Sequence, residues 1–210
     1  AAAQQCTVIM DSIFSGLEFD HSGYWELDHL VQKFVYSTQA RLVLISGVAK
    51  EYAAGGLRFG YAWSANRELM QSLQSLKHRK IHYTLGYAAR ELFQAHVQQE
   101  PRLVQHLQTQ KALLAERAKR LTEILQAKGW QVLKPSGGLF LVAKPQKYIE
   151  ENQLDATKGA DQMVAFLFEQ QNLAVNNSTW TGLPGYCRFV LSVSEQSFNE
   201  ALLRLQMLTD

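Results

Sequence analysis

What this sequence has little of narrows its chemistry early. It carries two cysteines, Cys6 and Cys187, near opposite ends of the chain. Thiols so placed make neither a disulfide scaffold nor a zinc site, whose ligands recur at short, fixed spacings. A reducing, cytoplasmic compartment is the plain expectation. No charge sign dominates: 21 Lys+Arg against 19 Asp+Glu leave a formal +2. A nucleic-acid backbone or an anionic membrane calls for a basic face. The basic run that stands out is Lys77-His78-Arg79-Lys80. Apolar runs such as Leu139-Phe140-Leu141-Val142-Ala143 are far too short to span a bilayer. His78 and His82 are four apart, but no third metal ligand is near in sequence. Also missing are a Gly-x-Gly-x-x-Gly phosphate loop, a serine-nucleophile elbow, internal repeats, low-complexity tracts and a leader-like start. The chain opens on Ala1-Ala2-Ala3 rather than on a methionine.

What is there is a folding composition. Of 210 residues, 47% are hydrophobic and 19% charged, ample for a core. Cys6–Met10 and Arg41–Ser46 read as buried strands, and Leu57–Trp63 as a third. Helices are expected over Glu26–Val35, with Leu27, Leu30, Val31 and Phe34 on one face, and from a cap at Asn66 to about Leu76. That alternation predicts an α/β domain with a largely parallel sheet. Residues 84–128 read as helix broken near Pro101. Leu103, Leu107, Leu114, Leu121 and Leu125 form one core-facing stripe, and Gly129 ends it. Beyond it the pattern is a small α+β domain. Strands are expected over Trp130–Lys134 and Leu139–Ala143, around a Pro-Ser-Gly-Gly turn. A helix follows over Ala160–Gln171, then strands over Leu173–Asn176 and Tyr186–Val193, and a helix over Glu195–Met207.

Four residues carry candidate chemistry. Lys50 follows the second strand by four residues, in Lys50-Glu51-Tyr52-Ala53-Ala54-Gly55-Gly56-Leu57-Arg58-Phe59-Gly60-Tyr61. It is either a solvated loop lysine or a Schiff-base lysine, which needs a partly desolvated site. Arg58 sits beside two glycines that let the loop return toward Lys50, where a guanidinium can clamp a phosphate. Asp11 ends the first strand at the sheet edge where α/β folds hold ligands; a carboxylate there can keep a pyridine nitrogen protonated, and it can equally be a turn aspartate. Arg188 lies inside the apolar run Tyr186–Leu191 and needs a partner, either a structural salt bridge or a bound carboxylate.

Together these segments resemble the C-terminal half of a class I/II aminotransferase, a pyridoxal-phosphate enzyme of fold type I. Asp11-Ser12-Ile13-Phe14-Ser15-Gly16 resembles the family's Asp-x-x-Tyr segment. Lys50–Tyr61 resembles its lysine–glycine–arginine signature, and Pro135-Ser136-Gly137-Gly138-Leu139-Phe140 its Pro-x-Gly-Gly-x-Phe turn. Arg188 with Ser192 resembles its Arg-x-Ser strand, with a longer interval. The resemblance implies a partial three-layer α/β/α large domain over 1–100, a connecting helix over 101–128 and a small α+β domain over 129–210. It implies pyridoxal 5′-phosphate as cofactor and an amino acid and a 2-oxo acid as substrates. It gives Lys50 the Schiff base and the proton shuttle, Asp11 the pyridine nitrogen, Arg58 the phosphate and Arg188 the substrate α-carboxylate. A homodimer is also implied.

The departures are specific. Phe14 stands where the family usually has a tyrosine hydroxyl facing the ring. Gly47-Val48-Ala49 precede Lys50, so the nearest upstream hydroxyl for the cofactor is Ser46, four residues away. The family's upstream phosphate loop and ring-stacking aromatic have no counterpart here. The sequence therefore reads as a fragment, or as a chain that completes its site with another, leaving unpaired sheet edges and exposed apolar surface. Ser12–Asp20 also resembles the aminotransferase-like C-terminal region of methionine S-methyltransferases. Two alternatives to a working aminotransferase follow: a non-catalytic or regulatory domain of such a methyltransferase, and an effector-binding domain of a transcription regulator. Trp180, in the loop Asn176–Gly182, lines the site entrance, serves packing or meets a partner.

Overall fold

The computed structural model describes residues 6–19, 40–76 and 81–208. The helix expected over Glu26–Val35, His78 and the basic run 77–80 lie outside the described residues. The chain divides into two compact units, Ala1–Lys111 and Ala112–Asp210.

The first unit is built on a three-stranded sheet of β1 (Val8–Asp11), β2 (Leu42–Gly47) and β3 (Gly60–Trp63), in that spatial order. β1 runs parallel to β2, with Val8 opposite Leu42 and Asp11 opposite Ile45. β3 returns antiparallel, with Gly60 opposite Gly47 and Trp63 opposite Leu44. The expected parallel pattern therefore stops at β2. The connection to β3 holds only a 3-10 turn, Gly55–Leu57, and parallel pairing needs a longer crossover, usually a helix. The same turn delays the third strand to Gly60. β1 was expected to be buried, yet Val8 is 43% and Ile9 64% exposed, because among the described residues this strand has one neighbour.

Three helices follow: α1 (Arg67–Ser75), α2 (Tyr83–Val97) and α3 (Pro101–Ala127). Asn66 caps α1 as expected, its side-chain oxygen accepting the Leu69 N–H at 3.1 Å. The break near Pro101 is where α3 starts. Proline suits the first helical position because that N–H has no partner there anyway, and the Glu100 carboxylate accepts the Leu103 N–H at 3.0 Å. Gly129, at φ +74°, ends the stretch in the left-handed conformation that glycine adopts freely.

The second unit holds the end of α3 and an antiparallel sheet. Its strands are β4 (Gln131–Leu133), β5 (Phe140–Lys144), β6 (Asn176–Asn177) and β7 (Cys187–Val190), in the order β4-β5-β7-β6. Helices α4 (Gln146–Glu151), α5 (Gly159–Gln171) and α6 (Glu195–Gln206) complete it. In place of the strand expected over Leu173–Asn176 stands a two-residue strand that shares only Asn176 with it, and α4 lies outside the sequence expectations. The core joins Leu114, Leu121 and Leu125 of the predicted stripe to Leu141, Leu167, Phe189, Leu202 and Leu205. Trp130 stands edge-on to Phe189 at 5.6 Å. Arg117 is buried there without a carboxylate. One guanidinium nitrogen donates to the Leu191 and Val193 carbonyls, both at 2.7 Å, and the group stacks on Phe198. Those contacts replace the water that a buried cation gives up.

Candidate functional site

Parallel pairing brings the carboxyl ends of β1 and β2 to one sheet edge, where open α/β sheets bind ligands. Asp11 closes β1. Its carboxylate accepts the Ile13 N–H at 3.1 Å, folding the chain back into the Ser12–Gly16 turn. That turn carries Phe14 to the lysine: the Lys50 ammonium lies 5.7 Å from the Phe14 ring centroid, within cation–π range. Ser46, at the end of β2, donates to the Ser12 carbonyl at 3.1 Å, so its hydroxyl is spent tying the two strand ends together. Ser12 is itself buried, and its hydroxyl has no partner.

Lys50 is half-buried, and among the described residues no carboxylate pairs with its ammonium. Its loop is held by its own backbone. Val48 N–H donates to the Phe59 carbonyl at 3.3 Å, Ala54 N–H to the Val48 carbonyl at 3.2 Å and Ala53 N–H to the Lys50 carbonyl at 3.1 Å. A side chain at Gly47 would meet the Phe59 carbonyl at 2.8 Å, so the return of the loop requires glycine there. Ala53 and Arg58 adopt left-handed backbone at φ 51° and 49°. Such strain persists only where surroundings enforce it, and it clusters at functional sites. Arg58 is exposed, two residues before the Gly60 that pairs with Gly47. Asp11, Phe14, Ser46, Lys50 and Arg58 thus gather at one end of one sheet. An amine, a carboxylate and a guanidinium at one sheet end offer a nucleophile and groups of both charge signs to a bound ligand.

Arg188 belongs to the second unit. On β7 it stands opposite Val142 of β5 and Asn176 of β6. Among the described residues it has no ion pair; its guanidinium lies over the Phe140 ring and over the Trp180 ring, 4.6 Å from each centroid. Its Nε is buried and lacks a hydrogen-bond partner. Leaving such a donor unpaired costs about 1–3 kcal/mol. Trp180, 70% exposed, therefore works as one of these two rings. Sequence reading missed Ser12, the second ring at Phe140 and the hydrogen bonds that Gln110 makes to the lysine loop. Side chains that hold a loop from a distant helix carry no local signal. Among the described residues no cluster of His, Cys, Asp and Glu can hold a metal, and no helix is long and apolar enough to cross a membrane.

Comparison with known proteins identifies the family and the fold. The family described as aminotransferase class I and II matches residues 1–205. A methionine S-methyltransferase of Wollastonia biflora is 30% identical over 210 residues, covering 92% of this chain and 19% of that protein. One from Arabidopsis thaliana is 28% identical over 204 residues, covering 93% and 19%. The chain thus spans about a fifth of the length of these relatives. Among solved structures, the aromatic aminotransferase of Pyrococcus horikoshii superposes with a TM-score of 0.75 at 19% identity, over 97% of this chain and 51% of that one. The fold is that of the pyridoxal-phosphate-dependent transferases of type I. With a sheet of that fold, a lysine loop at its edge and a family match over residues 1–205, the chain belongs to the aminotransferase class I and II family.

Proposed function

We propose that this chain is the lysine-bearing part of a pyridoxal-phosphate-dependent aminotransferase that moves an amino group between an amino acid and a 2-oxo acid. The observation that carries the reading is the strand register, which sets Asp11, the loop of Lys50 and Arg58 at the same end of one sheet. Pyridoxal phosphate, when bound, supplies an aldehyde that condenses with amines and a pyridinium ring that accepts an electron pair. The residues present fit that group. Lys50 Nζ would be the amine that holds the group and would serve as a proton carrier. Asp11 holds the proton on the ring nitrogen, and Arg58 takes the phosphate. Ser46 has its hydroxyl committed to Ser12, so it supports the turn. Phe14 offers the amine an aromatic face and no hydroxyl. Arg188, with an unpaired buried Nε and two aromatic rings against its guanidinium, receives the substrate α-carboxylate.

Residues 1–100 then serve as part of the large cofactor domain, 101–128 as the connecting helix and 129–210 as the small domain. In this reading polypeptide from the same protein or a second chain pairs the strand edges that are open among the described residues. A cytoplasmic homodimer is the assembly this reading favours.

The test is an absorbance spectrum of the full-length protein with pyridoxal phosphate, then borohydride reduction and peptide mapping. The expected result is a label on Lys50 that Lys50→Ala abolishes. A full-length protein that takes no label overturns the reading.

A second reading has its own observation. The ring beside Lys50 is phenylalanine, and the relatives reported above are named methionine S-methyltransferases. In this reading the region binds an amino acid and regulates an attached methyltransferase without turnover. Full transaminase activity in the intact protein would exclude it.

A further inference from the structure

We infer that Gln110 is a positioning residue for Lys50, a role that rests on the reading of Lys50 as the reactive amine. A lysine ammonium rides on a long flexible stem, so where it dwells depends on how firmly its own backbone is held. Here that backbone sits in a loop that includes Ala53 in the left-handed region, a conformation costing on the order of 1–3 kcal/mol unless its surroundings impose it. Bonds within the loop set its shape but do not tie it to a rigid element.

Gln110 supplies that tie. It lies on α3, a helix of 27 residues, and its carboxamide nitrogen donates to the Glu51 carbonyl at 2.9 Å and to the Lys50 carbonyl at 3.4 Å. One carboxamide nitrogen thus serves the carbonyls of Lys50 and of the next residue, the Glu51 bond being the shorter. A second anchor comes from α2, where the Tyr52 hydroxyl and His96 Nδ1 share a hydrogen bond of 2.8 Å and the Tyr52 ring stands edge-on to Phe93. Tyr52 is buried and packs the loop; Gln110 is the one that reaches the lysine's carbonyl. Without its donors, the loop keeps its packing and its internal Ala53-to-Lys50 bond but loses the tie from the Lys50 and Glu51 carbonyls to α3. Misplacing a reacting group by about 1 Å costs up to about a hundredfold in rate.

Two readouts test this on the full-length protein. The first is the rate at which borohydride-trapped pyridoxal phosphate appears on Lys50. The second uses no cofactor: competitive trace acetylation of Lys50 against the exposed Lys134. Gln110→Met keeps the length and removes the donors; Gln110→Lys restores a donor. The expected result is that Gln110→Met slows trapping about tenfold or more and shifts the acetylation ratio severalfold, and that Gln110→Lys recovers most of both. Gln110→Glu, of the same shape, takes the place of the methionine variant if that does not fold. Wild-type values in the donorless variant, or equal shifts in the methionine and lysine variants, overturn the role. If the protein binds no pyridoxal phosphate at all, the proposed function falls, while the acetylation ratio still decides whether Gln110 positions Lys50.

Discussion

The two sheets of this chain are built to opposite standards. In the second unit, β5 and β7 alternate between buried and half-exposed positions, and Leu141, Ala143 and Leu191 are fully buried. In the first unit, every residue of β3 is exposed, and Ile9, Ile45, Tyr61 and Trp63 lie open at 40% or more. Both outer strands there, β1 and β3, lack a second neighbour among the described residues. Exposed apolar faces and unpaired edges set this sheet apart from the other. Among the described residues, the sheet that carries the candidate chemistry is thus the open one, and the well-buried sheet carries Arg188. A self-sufficient core makes a unit stable; here the lysine loop is instead held by hydrogen bonds from the helices that follow it.

The sharpest test of that contrast uses the two cysteines, one in each unit. Burial pushes the Cys187 thiol up from 9.0 to about 12, with the nearby Asp161 charge adding to the effect. At a given pH, its thiolate fraction falls about a thousandfold. In native protein, iodoacetamide should label the exposed Cys6 and spare Cys187, as read by peptide mass spectrometry; equal labelling would dissolve the contrast. Next in size, Leu141→Ala should cost about 2–5 kcal/mol in urea unfolding, whereas Ile9→Ala should stay within about 0.5 kcal/mol. An Ile9 variant as damaging as the Leu141 one would mean that β1 is covered in solution. Smaller still, Asn66→Ala removes the cap of α1 and should lower protection of its first turn by about 1 kcal/mol in hydrogen exchange, leaving α6 unchanged. The smallest effect is electrostatic. Hydrogen bonds from the Thr157 hydroxyl and N–H, with smaller help from Lys158, hold the Asp155 carboxyl below its ordinary 3.8. Its folded value lies below its unfolded one, so its contribution is present above the unfolded value and is lost as pH falls through the folded value. A carboxyl titration by NMR that places Asp155 at or above the ordinary value would contradict this.

Much of the local structure was legible because its causes are local. The Asn66 cap, the proline that starts α3 and the glycine that ends it act through the backbone within a few residues. Leu114, Leu121 and Leu125 announce their buried face by spacing. The lysine–arginine loop was legible as a motif, and its place at the strand ends followed from strand order. The direction of β3 was not, because two strands of the same pattern pair either way until the length and shape of their connection decide. The exposure of β1 was equally hidden: an apolar strand looks the same whether or not a neighbour covers it.

Sequence by itself determined the family, the alternation of elements and the presence of Asp11, Lys50, Arg58 and Arg188, since periodicity, caps and motif spacing are written along the chain. Tertiary structure alone decided what each of those side chains touches. It set Phe14 beside Lys50, committed the Ser46 hydroxyl to Ser12, set Arg188 against two rings instead of pairing it with an acid, and brought Gln110 from about sixty residues downstream to the lysine's own carbonyl. The reason is physical: contacts between residues far apart in the chain depend on packing that no local propensity encodes.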